Sequence, residues 1–199
     1  MPPPSRIAGL VLAAGGSRRF GGVPKQLAPL DGVPLLEHAL RAVAAAPDVE
    51  PVLVALGAHA EQILAAVDLQ GAEPLLIPDW AEGQAAALRA GVAALAPRAD
   101  AVLVTLGDQP RVSAAAIARV VAAWDGTAPA VRATFGGRPG HPVLLERALF
   151  PAVAELRGDT GARELLRAGV VEVACDADAV LDVDTPADLV ALRTRGAHR

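Results

Sequence analysis

The sequence predicts an α/β fold built on a mostly parallel sheet with helices on both faces. Two observations lead to it. Apolar runs of strand length alternate with helix-length stretches along most of the 199 residues, the rhythm of repeated strand–helix units. Two of those runs, Gly9-Leu10-Val11-Leu12 and Val102-Leu103-Val104, are continuously apolar, as strands covered on both faces require.

Ile7–Ala13 reads as the first buried strand, running into a Gly-rich loop that ends at Gly22. Pro34–Ala46 reads as a helix with Leu35, Leu36, Leu40 and Val43 on one face. Pro51–Leu56 is the next strand, Ala58–Val67 a helix, Leu75–Ile77 a short strand and Glu82–Leu95 a helix. Ala101–Leu106 is a strand leading into Gly107-Asp108-Gln109-Pro110, and Ser113 starts a helix that ends near Trp124. The rhythm then changes. Strands are expected at Ala130–Thr134 and Val143–Leu145 with a loop over Gly136–Pro142 between them. Two helices separated by Gly158–Gly161, a strand at Val170–Val173 and a helix from Pro186 complete the order. The whole is expected to be one Rossmann-like domain over residues 1–199, since no linker, repeat or low-complexity segment interrupts it. A chain of this length buries roughly 70% of its unfolded surface.

Composition narrows the function classes. The net charge is −4 with scattered basic residues, so no nucleic-acid footprint is expected. No apolar run reaches the roughly 18 residues of a membrane span, and Met1–Arg6 lacks the apolar centre of a signal peptide. The single cysteine, Cys175, cannot form an internal disulfide. It reads as filler near a strand end in a protein of a reducing, cytoplasmic compartment. Of 18 basic residues 17 are Arg and one, Lys25, is Lys. Where Arg replaces Lys so freely, a retained Lys points to a position wanting a compact ammonium.

The loop Ala13-Ala14-Gly15-Gly16-Ser17-Arg18-Arg19-Phe20-Gly21-Gly22-Val23-Pro24-Lys25 follows the first strand. Such a turn lets backbone N–H groups approach phosphates, with Arg19 and Lys25 adding charge and Ser17 a hydroxyl. It is neither a Walker A sequence nor Gly-x-Gly-x-x-Gly, so a dinucleotide site is poorly supported. The competing reading is a surface turn with solvated arginines.

These residues, with Pro24-Lys25-Gln26-Leu27, resemble the signature of the MobA-like nucleotidyltransferases, and most closely the molybdenum cofactor cytidylyltransferase branch. Four further segments agree in order and spacing: Pro78–Gly83, Gly107–Pro110, Gly140–Leu144 and Leu181–Pro186. The resemblance implies transfer of a nucleoside monophosphate from an NTP to a phosphorylated pterin-type acceptor, with Mg²⁺ as cofactor. Lys25, Arg19 and Asp108 are then the catalytic candidates. Ala13, Ala14, Gly15, Gly16, Ser17, Arg19, Lys25, Gly83 and Gln84 are the nucleotide-binding candidates. Ala13-Ala14-Gly15 resembles the pyrimidine-using branches, which implies CTP, with GTP as the alternative donor.

Asp108 lies just past a buried strand, where ligands gather in open α/β sheets. A carboxylate there suits Mg²⁺, which is usually tied by one or two carboxylates plus substrate phosphates. Asp184 is the expected partner. Thr185-Pro186-Ala187-Asp188 also reads as a helix start, with a Thr N-cap, Pro at N1 and an acid at N3. Capping does not account for Asp182 and Asp184, whose alternation with Val183 puts both on one face, and Asp182 is a lesser metal candidate.

Gln109, His141 and Arg163 are the acceptor-binding candidates, within an N-terminal nucleotide half and a mainly acceptor-binding C-terminal half. His141 reads equally as a hydrogen-bonded histidine beside a turn, and Arg163 as a solvated helix residue. His38, His59 and His198 read as ordinary positions. One departure from the branch is Gln84-Ala85-Ala86-Ala87, where it usually carries hydroxyl residues. Some sequences of this type carry an oxidoreductase name, for reduction of a quinone-like dye formed in nicotine breakdown. That activity needs NAD(P)H or flavin. A third reading is a carrier that hands a pterin cofactor to an apoenzyme; under the transferase reading, a molybdoenzyme is the receiver of the product.

Overall fold

The computed structural model describes residues 6–21, 23–166, 169–176 and 182–196. Gly22, Leu181 and His198, named above, lie outside the described residues, as does the segment before Arg6.

A seven-stranded sheet forms the centre. Its strands are β1 (Ile7–Ala13), β4 (Val49–Leu56), β5 (Glu73–Leu76), β6 (Ala101–Leu106), β7 (Ala130–Phe135), β8 (Arg138–Glu146) and β9 (Val170–Cys175). A two-stranded ribbon, β2 (Pro29–Leu30) and β3 (Val33–Pro34), stands apart from it. The order across the sheet is β5-β4-β1-β6-β8-β7-β9. β8 alone runs against its neighbours; every other pairing is parallel. The chain leaves β1 toward β4 on one side and returns to β6 on the other. The carboxyl ends of β1 and β6 therefore form the point where strand order reverses, the usual crevice for ligands in open sheets.

Among the described residues six α-helices accompany the sheet: α1 (Leu35–Ala44), α2 (Ala60–Ala66), α3 (Gln84–Leu95), α4 (Ala114–Ala122), α5 (Phe150–Ala154) and α6 (Pro186–Gly196). Alternation along the strands separates two cores. Val11, Val54, Leu103, Val131 and Leu144 pack with α1, α2 and α4, whereas Leu10, Leu53, Val102, Val104 and Leu145 pack with α3 and α5. A third, smaller core joins Leu30 and Leu35 to Val183, Leu189 and Leu192. It brings α6 back onto the β2–β3 ribbon, near the start of the chain.

Local signals set several boundaries. Ser113 caps α4 by accepting from Ala116 N at 3.2 Å, as expected for an N-cap serine. Thr185 and Asp188 form a reciprocal cap at the start of α6. Thr185 N donates to Asp188 Oδ2 at 2.7 Å and Asp188 N to Thr185 Oγ1 at 3.3 Å.

Three expectations are corrected. The loop expected over Gly136–Pro142 is a tight turn at Gly136-Gly137, and pairing resumes at Arg138; the glycines, both with positive φ, make so short a reversal possible. The helix expected from Glu82 starts at Gln84, because Gly83 adopts φ 112° and ψ −174° between it and a 3-10 turn at Trp80–Glu82. Of the two helices flanking Gly158–Gly161, the first is α5, and the second is only a 3-10 turn, Ala162–Leu165. Asp182–Asp184 has the expected alternation without being a strand.

Candidate active site

The carboxyl ends of β1 and β6 open into a cleft of about 560 Å³, lined by the loop Ala13–Arg19, Lys25, Gly83, Gln84, Asp108, Asp182 and Asp184 among others. The loop is shaped from within. Ser17 sits in left-handed geometry at φ 51° and is 8% exposed. Its hydroxyl donates to Gln26 Oε1 at 3.2 Å and accepts from Lys25 N at 3.0 Å. Gln26 in turn donates to Ala13 O at 2.9 Å, tying the loop's return to the end of β1. The Ser17 hydroxyl, expected on a phosphate, is thus spent inside the loop. Gln26, a residue of the motif to which no role was given, is its staple.

The charged groups converge from three distant segments. Lys25 Nζ stands 2.6 Å from Asp108 Oδ2 and 2.8 Å from Asp184 Oδ1. Arg19 Nη2, on a side chain 72% exposed, reaches Asp184 Oδ2 at 2.9 Å. The backbone completes the arrangement: Val183 N donates to Asp108 O at 3.0 Å. With Val183 fully buried in the small core, Asp182 and Asp184 are left to face the cleft. Burial pushes the Lys25 ammonium toward deprotonation, but its pairing with Asp108 and then Asp184 outweighs that and raises its pKa. Asp182 is raised, first by burial and then by the neighbouring charges of Asp108 and Asp184, although its bond to Gln109 opposes this.

Gln109, expected at the acceptor, is 5% exposed and donates to Asp182 Oδ1 at 2.6 Å. It lies beneath the acids and holds one of them. Nothing in the sequence marks this role, since the two residues are 73 positions apart.

The far wall of the cleft comes from the start of α3 and the Gly158–Gly161 loop. Ala85 N donates to Gly158 O at 3.0 Å. A Cβ on Gly83 would stand 2.5 Å from Gly158 C and O, so glycine is required there by space as well as by φ. Gln84 faces the cleft, with Ala87 beside it. Ala85, Ala86 and Ala87, where the resembled branch carries hydroxyls, are all buried. Trp80 and Asp159 also line the cleft; in the sequence they stand only as members of the Pro78–Gly83 segment and the Gly158–Gly161 loop, with no role of their own.

His141 and Arg163 are not among the cleft-lining residues. His141 lies on β8 two residues before Val143, which pairs with Val104 of β6, and so sits at the sheet edge that carries the cleft. Burial pushes its pKa down to about 4. Arg163 is exposed on its 3-10 turn. His38 bonds Leu30 O at 2.9 Å and His59 Gly16 O at 3.4 Å. Cys175 is a buried free thiol at the end of β9, its pKa raised by that burial.

Among the described residues, no three carboxylate, imidazole or thiol groups converge to enclose a metal ion. A partial set is present. Asp108 and Asp184 meet at one cation, and Asp108 Oδ1 is buried with no hydrogen-bond partner among the described residues. That donor set fits a hard divalent ion which takes its remaining ligands from water and phosphates.

The family model for the MobA-like NTP transferase domain matches residues 9–176. The chain belongs to this family. Among MobA-like relatives, it is 35% identical over 173 residues to nicotine blue oxidoreductase of Paenarthrobacter nicotinovorans, covering 81% of each chain. It is 36% identical over 135 residues to molybdenum cofactor guanylyltransferase of Burkholderia orbicola, covering 66% of this chain and 63% of that one. The crystal structure of Rv0371c in complex with manganese, from Mycobacterium tuberculosis H37Rv, superposes with a TM-score of 0.82 at 32% identity, covering 96% and 99% of the two chains. No helix among the described residues is long and apolar enough to cross a membrane.

Proposed function

We propose that this MobA-like protein transfers CMP from CTP to the terminal phosphate of a molybdopterin-type acceptor. The observation that carries the reading is the Lys25 ammonium gripped between Asp108 and Asp184 at the mouth of a Gly-rich loop. An acceptor phosphate oxygen bonds to the α-phosphorus as the bond from that phosphorus to the bridging oxygen breaks, and pyrophosphate leaves. Such displacements depend on positioning and charge neutralisation.

The loop from Ala13 to Ser17 presents its backbone to the triphosphate, and Lys25 and Arg19 offset its charge. Gly83 and Gln84 bound the nucleotide on the opposite wall. Asp108 and Asp184 would hold Mg²⁺, which would supply charge neutralisation to the reacting phosphates; the manganese complex of Rv0371c supports a divalent ion in this fold. His141 and Arg163 face the acceptor in the C-terminal half of a single domain. The receiver of such a product is a molybdoenzyme.

CTP as donor rests on Ala13-Ala14-Gly15, and the likeness to a guanylyltransferase makes GTP the first alternative. A second reading, an oxidoreductase using NAD(P)H, is favoured by the likeness to nicotine blue oxidoreductase over 81% of the chain. One assay separates them: pyrophosphate release with CTP, GTP, UTP or ATP plus a phosphorylated pterin, with and without Mg²⁺, beside NADPH oxidation with a quinone-like dye. Metal-dependent release with CTP supports the proposal and release with GTP alone changes the donor. NADPH oxidation without pyrophosphate release overturns it.

A further inference from the structure

Asp108 and Asp184 together offer four carboxylate oxygens, and cationic side chains already hold three. Lys25 Nζ takes Asp108 Oδ2 and Asp184 Oδ1 at 2.6 and 2.8 Å, and Arg19 takes Asp184 Oδ2 at 2.9 Å. Among the described residues, Asp108 Oδ1 is left without a partner. The neighbouring acid, Asp182, is tethered to Gln109 at 2.6 Å. An ion at the roughly 2.0–2.1 Å that Mg²⁺ requires would share these oxygens with an ammonium only 14% exposed. Two like charges would then stand side by side where water screens them poorly.

We propose that Lys25, assisted by Arg19, is an internal counterion that keeps a divalent cation off Asp108 and Asp184 until a nucleoside triphosphate draws both side chains onto its phosphates. Metal and nucleotide then bind as one coupled event, each raising the affinity for the other by the same factor. The inference rests on the transferase reading and gives Lys25 a role before chemistry: it sets the order in which the site fills. It also explains why an ammonium serves here. A compact charge can pass from two carboxylates to a phosphate by turning one flexible stem.

The test measures Mn²⁺ binding by electron paramagnetic resonance to wild type and Lys25→Met, alone and with CTP or GTP. The expected result is that Mn²⁺ alone binds Lys25→Met at least about tenfold more tightly than wild type, and that a triphosphate tightens Mn²⁺ binding to wild type far more than to the variant. Because Lys25 is the chain's single lysine, lysine labelled with ¹⁵N and ¹³C gives one side-chain signal in the unmutated protein, which keeps the question open to test if the variant does not fold. That signal should hold its position in Mg²⁺ alone and move when Mg²⁺ and triphosphate are added together. Equal Mn²⁺ affinity in the two proteins, or a Lys25 signal that moves in Mg²⁺ alone, overturns the counterion role while leaving the transferase reading in place. If no triphosphate binds wild type, the transferase reading falls and the coupling falls with it.

Discussion

The strands β4, β1 and β6 and the strands β8, β7 and β9 make up two unlike regions of one sheet. In the first, all pairings are parallel, β1 is buried along its whole length, and the strand ends carry the loop, Asp108 and the cleft. In the second, a tight hairpin and an antiparallel strand replace the strand–helix rhythm, and the edge strand β9 is largely exposed. Lys25, Asp108 and Asp184 converge at the first region. His141 and Arg163 belong to the second, and neither touches the charged cluster. The difference teaches that the paired charges meet where parallel strand ends reverse order, while the groups proposed for the acceptor lie away from that point.

The largest expected effect breaks the first region alone. Lys25→Ala or Asp108→Asn should lower pyrophosphate release by about 10²–10³-fold or more, with the circular dichroism spectrum of the folded protein retained; near-normal turnover removes these residues from the chemistry. Gly83→Ala attacks the seam between the regions. Its Cβ has no room beside Gly158, and the strained φ alone costs about 1–3 kcal/mol, to be read from urea unfolding together with weakened nucleotide binding.

Ser17→Ala removes the hydroxyl that joins Gln26 to Lys25. A loss of about 1–3 kcal/mol is expected, with a raised KM for nucleotide and an unchanged KM for acceptor, which sharpens the division between the regions. His141 provides the pH dependence. Its folded pKa of about 4 lies below the ordinary histidine value near 6.5, so the unfolded chain binds the extra proton first. Its contribution is complete above about pH 6.5 and is lost as pH falls toward 4, at up to about 1.4 kcal/mol per pH unit. Urea melts across that window should show a shallower slope in His141→Gln. Arg163→Ala, at an exposed position, should change stability by no more than about 0.5 kcal/mol. A raised acceptor KM with unchanged nucleotide KM is its expected signature, and no kinetic change would return Arg163 to the solvated surface.

Much of the fold was legible because its signals are local. The continuous apolar run of β1, the N-cap at Ser113 and the reciprocal cap of Thr185 and Asp188 depend on residues within a few positions of one another. The same holds for the Gly-rich loop and the prominence of Lys25. What resisted reading was local in appearance and settled at a distance. Gly140-His141-Pro142 looks like loop, yet lies within β8, as the irregular stretch between the pairs Thr134–Pro139 and Arg132–Val143. Gly83 looks like a helix residue, yet it ends a 3-10 turn at φ 112°, with Gly158 filling the space a side chain would need.

The sequence by itself determined most of the strands and helices, and which acids and cations were candidates, since periodicity, capping and motif spacing act through near neighbours. Only the tertiary structure decided that Lys25 would bridge acids 83 and 159 positions away, that Gln109 would serve Asp182, and that the Ser17 hydroxyl would turn inward. Those outcomes depend on which strand ends meet at the reversal point and on the small core that carries Val183 back to the start of the chain. Hydrogen bonds and ion pairs act over a few ångströms in space, whatever the separation along the sequence.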